Sequence, residues 1–202
     1  MRSCTHEQFL ADVSEHVLTV KLNAGLYRHL RFQKHTSSVH WFDLVTWPGV
    51  LVIRGYMGTW VFSRVEDMFT FFRSGPGESR INPDYWSEKL QAGINNGREH
   101  AKVFDSEEFQ RRVLEHTDSY GSLEGADLAS VTAALRDEVF REDNQHDLYQ
   151  AAYEFEHRLP GGEIFQFDGC EIPNGMVFAY HFIWCCYAIV WGIEQWDKVQ
   201  SQ

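Results

Sequence analysis

At 202 residues, with 44% hydrophobic, 15% aromatic and 23% charged side chains, the chain has the composition of a folded globular domain and not of a disordered or fibrous one. Its formal net charge of -11 repels a nucleic-acid backbone, which argues against direct nucleic-acid binding and for basic protein surfaces as partners. The charge is uneven: residues 1–98 carry 11 Lys+Arg against 9 Asp+Glu, residues 99–171 carry 6 against 18, and residues 172–202 carry 1 against 2.

In chain order, Thr5 and Gln8 have the spacing of a capping box and predict a short helix over residues 6–15. Residues 1–16 lack the basic-then-apolar pattern of a secretion signal, so a cytoplasmic location is expected. Residues 17–22 and 27–34 predict two strands joined by the loop Asn23-Ala24-Gly25, the second alternating Leu30 and Phe32 against His29, Arg31 and Gln33. After Thr36-Ser37-Ser38, residues 39–46 predict a third strand in which Phe42 and Leu44 alternate against Trp41, Asp43 and Val45. The Trp47-Pro48-Gly49 turn leads to a strand over 50–54, and Gly55-Tyr56-Met57-Gly58 leads to another over 59–62. Connections this short imply an antiparallel meander of four to five strands, and large apolar groups on both faces of the later strands predict that both are covered. Ser63 and Glu66 again have capping-box spacing and predict a helix carrying Met68, Phe69 and Phe72, ended by Ser74-Gly75-Pro76-Gly77. Asn82-Pro83 predicts a further helix to about residue 92, followed by the loop Asn95-Asn96-Gly97.

Helical patterns follow over 106–116, 127–141 and 145–157, and their exposed positions hold most of the acidic excess. Residues 164–167 predict a late strand returning to the sheet. Residues 176–193 lack any formal charge and approach the length of a membrane span, but His181, two tyrosines, two cysteines and the single basic flank Lys198 favour a buried core helix over 176–198. The expected architecture is one α+β domain over 1–202: sheet and packing helices in 1–98, an acidic helical segment in 99–171 and a core helix in 172–202. Cys4, Cys170, Cys185 and Cys186 include no Cys-x-x-Cys, which fits a reducing compartment without a zinc site.

Candidate chemistry is sparse. Glu154 and His157 have the spacing of a di-iron ligand pair, but a second copy is missing, so no metal is assigned. His29, Arg31, Asp43 and Arg54 share strand parity and could converge on one sheet face, either as two guanidinium forks and an imidazole around an anion or as a cross-strand ion-pair ladder. Gly55 and Gly58 lack the Gly-Lys-Ser/Thr ending of a phosphate loop and predict a hairpin turn. Asp168 and Glu171 flank Cys170 without a histidine in register. His181, alone in an apolar run, predicts a core histidine, and Trp184, Trp191 and Trp196 predict core packing. No cofactor is implied.

The runs YRHLRF (27–32), WFDLVTWPG (41–49), GYMGTWVFSRVEDMFTFFR (55–73), INPDYWSEKL (81–90) and FIWCCYAIVWGI (182–193) resemble a family of bacteriophage- and prophage-encoded proteins. The resemblance carries no active site; it implies a phage gene acting in the bacterial cytoplasm. Two functions are then expected. One is an accessory protein that binds and inhibits a host protein with a basic surface, in the manner of an anti-CRISPR inhibitor, through Glu107, Glu108, Asp137, Glu138, Glu142 and Asp143. The alternative is a small enzyme or binding protein for a nucleotide or other anionic metabolite, using His29, Arg31, Asp43 and Arg54. Aromatic surface leaves homo-oligomerisation open, and no membrane association is expected.

Overall fold

The structure, a computed structural model, describes residues 3–73, 81–93, 101–169 and 171–201. The fold is α+β, 43% helical and 26% strand. It groups into two compact units, Arg2–Lys102 with Phe178–Gln202, and Val103–Val177. Each unit has its own buried apolar cluster.

The first unit opens with α1 (His6–Val13), where Thr5 and Gln8 form the predicted reciprocal capping box. Strands β1 (Val17–Ala24), β2 (Tyr27–Gln33), β3 (Phe42–Trp47), β4 (Val50–Gly55) and β5 (Gly58–Ser63) form an antiparallel meander in sequence order. The first turn is shorter than predicted: Ala24 pairs with Tyr27, leaving Gly25-Leu26, and Gly25 takes the positive φ of 65° that a tight reversal demands. A sixth strand, β6 (Leu90–Gly93), joins β5 where a helix to residue 92 was expected; α3 (Pro83–Ser87), capped by Asn82, ends earlier. Ser63 does not cap a helix, because it is still paired in the sheet with Val50. Helix α2 (Met68–Arg73) begins later, with Asp67 Oδ1 accepting from the Phe69 N–H at 3.0 Å. The predicted exits at 74–77 and 95–97 lie outside the described residues.

One sheet face forms the core: Leu30, Leu44, Ile53 and Trp60 make one cross-strand row, with Phe32 and Phe42 beside it, all buried. Against it lies α7 (Tyr180–Gln200), which buries Phe182, Ile183, Trp184, Cys185, Cys186, Ile189 and Ile193. At Gly192 a Cβ would come within 2.8 Å of Leu44 Cδ1 and 3.2 Å of the Phe32 ring, so the glycine sets how closely helix and sheet approach. His181 lies on the exposed side of α7, not in the core as expected. No described helix is long and apolar enough to cross a membrane. The opposite sheet face is half-buried on the later strands at Val45, Val50, Val52 and Val61 and exposed at Trp47, so the covering expected there is partial; on β1 and β2 the same face exposes Leu22 and Tyr27.

A polar knot joins α1, α7 and the approach to β3. Asp12 Oδ2 accepts from Trp184 Nε1 at 2.9 Å, and Asp12 Oδ1 lies 3.5 Å from His40 Nδ1. His40, the only non-glycine residue with positive φ among those described, turns its carbonyl to His16 Nε2 at 3.0 Å. A carbonyl only accepts, so Nε2 carries the hydrogen, and His16 Nδ1 is buried without a partner.

In the second unit Asp105 caps α4 (Ser106–Asp118), its Oδ1 accepting from the Glu108 N–H at 2.9 Å. Helix α5 (Gly125–Ala134) passes into a π-helical turn (Leu135–Val139), closed by the Phe140 N–H on the Leu135 carbonyl. Helix α6 (Gln145–Glu154) precedes the hairpin of β8 (Glu156–Arg158) and β9 (Ile164–Gln166). The late strand thus pairs with β8 instead of returning to the main sheet. Strands β7 (Lys102–Phe104) and β10 (Met176–Phe178) form a separate two-stranded ribbon.

Two outcomes test this packing. Gly192→Ala should lower stability by about 1–3 kcal/mol, because the flexible end of Leu44 can move aside. Gly55→Ala should cost more in the same thermal melts, since its Cβ would run into the Trp41 carbonyl oxygen and backbone cannot turn away. Burial holds the His16 pKa below its ordinary value, outweighing the favourable bond to the His40 carbonyl. The native state therefore binds that proton less readily than the unfolded chain, so stability falls as pH drops below about 6.5, and His16→Gln should flatten this part of a urea-unfolding pH series.

Candidate functional site

The two-residue turn between Trp47 and Val50 places Asp43 opposite Arg54, and the β2–β3 pairing places it opposite Arg31. The structure therefore brings all four residues of the predicted sheet-face set together. Asp43, 1% exposed, accepts from Arg31 Nε at 2.5 Å and Arg31 Nη2 at 2.8 Å. His29 Nε2 lies 3.4 Å and Arg54 Nε 3.8 Å from Asp43 Oδ2. The His29 contact is an approach without hydrogen-bond geometry, since that nitrogen has no hydrogen-bond partner among the described residues. Trp41 floors the cluster, with the Arg31 guanidinium 4.5 Å and that of Arg54 5.4 Å from its ring centroid.

The electrostatics follow from this geometry. Burial pushes the Asp43 carboxyl up, but the bidentate Arg31 fork and the His29 contact outweigh it and hold the group below its usual range. The bond to Asp43 correspondingly raises the Arg31 pKa. A carboxylate saturated in this way is a poor general base, because taking a proton means giving up its charge-assisted bonds. The cluster acts first as a cross-strand clamp on β2, β3 and β4. Arg54, with its side chain 54% exposed, keeps donors free for solvent.

The predicted acidic set divides into committed and free carboxylates. Glu108 accepts from Arg111 at 2.7 Å and from Arg112 at 2.6 Å, and these arginines hold its pKa down at about 2. Arg112 also donates to the Asn174 carbonyl at 2.8 Å, so Glu108 belongs to the framework of the unit. Asp137 pairs with Arg141 one turn away. Glu107, Glu138, Glu142 and Asp143 are exposed and make no ion pair among the described residues.

No sequence pattern pointed to a cavity of about 530 Å³ in the acidic unit, lined by Tyr120, Tyr153, Glu154, Glu156, Asp168 and Glu171. Tyr120 donates its hydroxyl to Glu171, and burial followed by that carboxylate pushes its pKa up to about 12. Glu154 accepts from Gln150, and Tyr153 is exposed. These residues come from three separate stretches of chain, so no local spacing announces them. Cys170 lies outside the described residues. The Glu154–His157 pair does not share a helix: His157 is on β8, 2.8 Å from Ser130 Oγ.

Comparisons with protein-family models, curated proteins and solved structures find no match to this chain.

Asp43→Asn removes the charge that Arg31 embraces and should destabilise the protein by about 3 kcal/mol, the lower end for a broken buried pair because Arg31 reaches solvent. The depressed carboxyl contributes stability that is present above the unfolded pKa of about 4 and is lost as pH falls through the folded value, so acid titration of stability should be flatter in the variant.

Proposed function

We propose that the protein is a non-enzymatic binding module of the phage accessory kind, whose acidic unit docks on a basic surface of a host protein and inhibits it. The observation that carries this reading is the segregation of charge. Val103–Val177 holds 17 Asp+Glu against 5 Lys+Arg, while the rest of the chain holds 12 against 13. A field of one sign concentrated on one compact unit steers a basic partner and repels nucleic acid. A basic nucleic-acid channel of a bacterial defence enzyme has the matching chemistry, and the phage setting rests on the family resemblance of the sequence. Saturation of Asp43 by Arg31 weighs against an enzyme working through the sheet face.

The test is co-purification from phage-infected bacteria, followed by titration of the retained partner. Glu107→Gln, Glu138→Gln, Glu142→Gln and Asp143→Asn together should weaken binding by at least about tenfold and reduce its salt dependence, without lowering the melting temperature. Equal affinity of the combined variant and wild type for the partner, or a partner without a basic face, overturns the proposal.

A further inference from the structure

Beside the Asp43 clamp, the connection from β2 to β3 walls a second cavity of about 360 Å³, and none of its lining residues is acidic. Its wall includes Arg31, Lys34, His35, Ser37, Ser38 and Trp41. From this geometry we infer that the cavity binds a small phosphate ester, with the phosphate against the cations and hydroxyls and the organic part along Trp41. The inference concerns the sheet unit and is independent of the acidic unit's proposed partner.

Three features favour an anion. Arg31 engages Asp43 through Nε and Nη2 alone, so Nη1 keeps its donors. Arg31 and Arg54 share the single charge of Asp43, so the cluster carries surplus positive charge beside the cavity. Among the described residues Lys34 pairs only with Glu15, whose side chain is 65% exposed, and such a solvent-exposed pair is weak enough for a better anion to displace. Hydroxyl donors complete the wall. Ser37 Oγ accepts from the Val39 N–H at 3.1 Å, which leaves its O–H free to donate, and the Ser38 hydroxyl makes no hydrogen bond among the described residues.

The ligand class follows from donor type and size. A planar fork, an ammonium and several hydroxyls suit the oxygens of a phosphate better than the two coplanar oxygens of a carboxylate. The volume is in the range of small-molecule pockets and exceeds what a bare ion fills, and an indole wall suits an apolar or sugar face.

Calorimetry and phosphorus NMR with ribose 5-phosphate, inorganic phosphate and ribose test the proposal on the full chain. Ribose 5-phosphate should bind saturably and more tightly than inorganic phosphate, and ribose should not bind. Arg31 is left intact, since it holds Asp43. Lys34→Gln with Ser38→Ala should weaken ribose 5-phosphate by at least about tenfold without lowering the melting temperature. Glu15→Gln, which frees Lys34, should tighten it, a gain that a purely structural role would not produce. Absence of saturable binding at millimolar ribose 5-phosphate, equal binding of ribose, unchanged affinity in the double variant, or inorganic phosphate binding as tightly as the ester overturns it.

Discussion

The sheet unit depends on the closure of its apolar face by α7, and that closure comes from the far end of the chain. Every strand of the meander is in place by Gly93, yet Leu30, Phe32, Phe42, Leu44 and Trp60 would face water without Phe178–Gln202. The four hairpin pairings from β1 to β5 are local and cheap in loop entropy; the helix that covers them must close over the whole intervening unit. Gly192 permits that approach, and the Asp12–Trp184 bond gives the helix a polar anchor on α1. In sequence, the acidic unit is an insertion between a sheet and its lid, so the sheet unit cannot bury its core until synthesis has passed through the acidic one.

Much of the sheet was legible because short turns carry register. Once Pro48-Gly49 is read as a two-residue turn, Asp43 must face Arg54, and Gly55 must face Gly58 across Tyr56-Met57. The β2–β3 connection spans too many residues for the same inference, so the Arg31–Asp43 pairing was permitted by parity and not determined by it. Helix ends misled where local signals conflicted with pairing. Ser63 has a capping-box partner in Glu66, yet the ladder with Val50 keeps it extended. Residues 88–92 continue a helical pattern, but pairing of Leu90 and Ala92 with β5 overrides it. His181 illustrates a limit of counting charges: the run around it is uncharged, yet its position on the helix puts it outside while Phe182 beside it is fully buried. The Tyr120 cavity was illegible for a different reason, since its walls meet only through tertiary structure.

The two units solve the placement of charge differently. In the sheet unit Asp43 is buried and answered by arginines on both neighbouring strands, so the ions hold strands together and leave a small positive surplus. In the acidic unit, arginines are too few to answer the carboxylates. Arg111 and Arg112 are both spent on α4, largely on Glu108, and Arg141 on Asp137. These short-range pairs fix local geometry but do not cancel the field that a partner at a distance would feel, which is set by the uncompensated remainder.

That remainder has a thermodynamic consequence for the proposed function. Like charges confined to one compact unit repel one another and lower its stability, a cost that the apolar cluster of Phe109, Val113, Leu135, Leu148 and Phe155 must offset. A basic partner relieves the repulsion at the moment of binding, so part of the electrostatic gain is realised as stabilisation of the unit itself. Under that proposal, the same free carboxylates that weaken the isolated unit would strengthen the complex. Glu107, Glu138, Glu142 and Asp143, which make no ion pair among the described residues, are the charges that the proposed partner would neutralise.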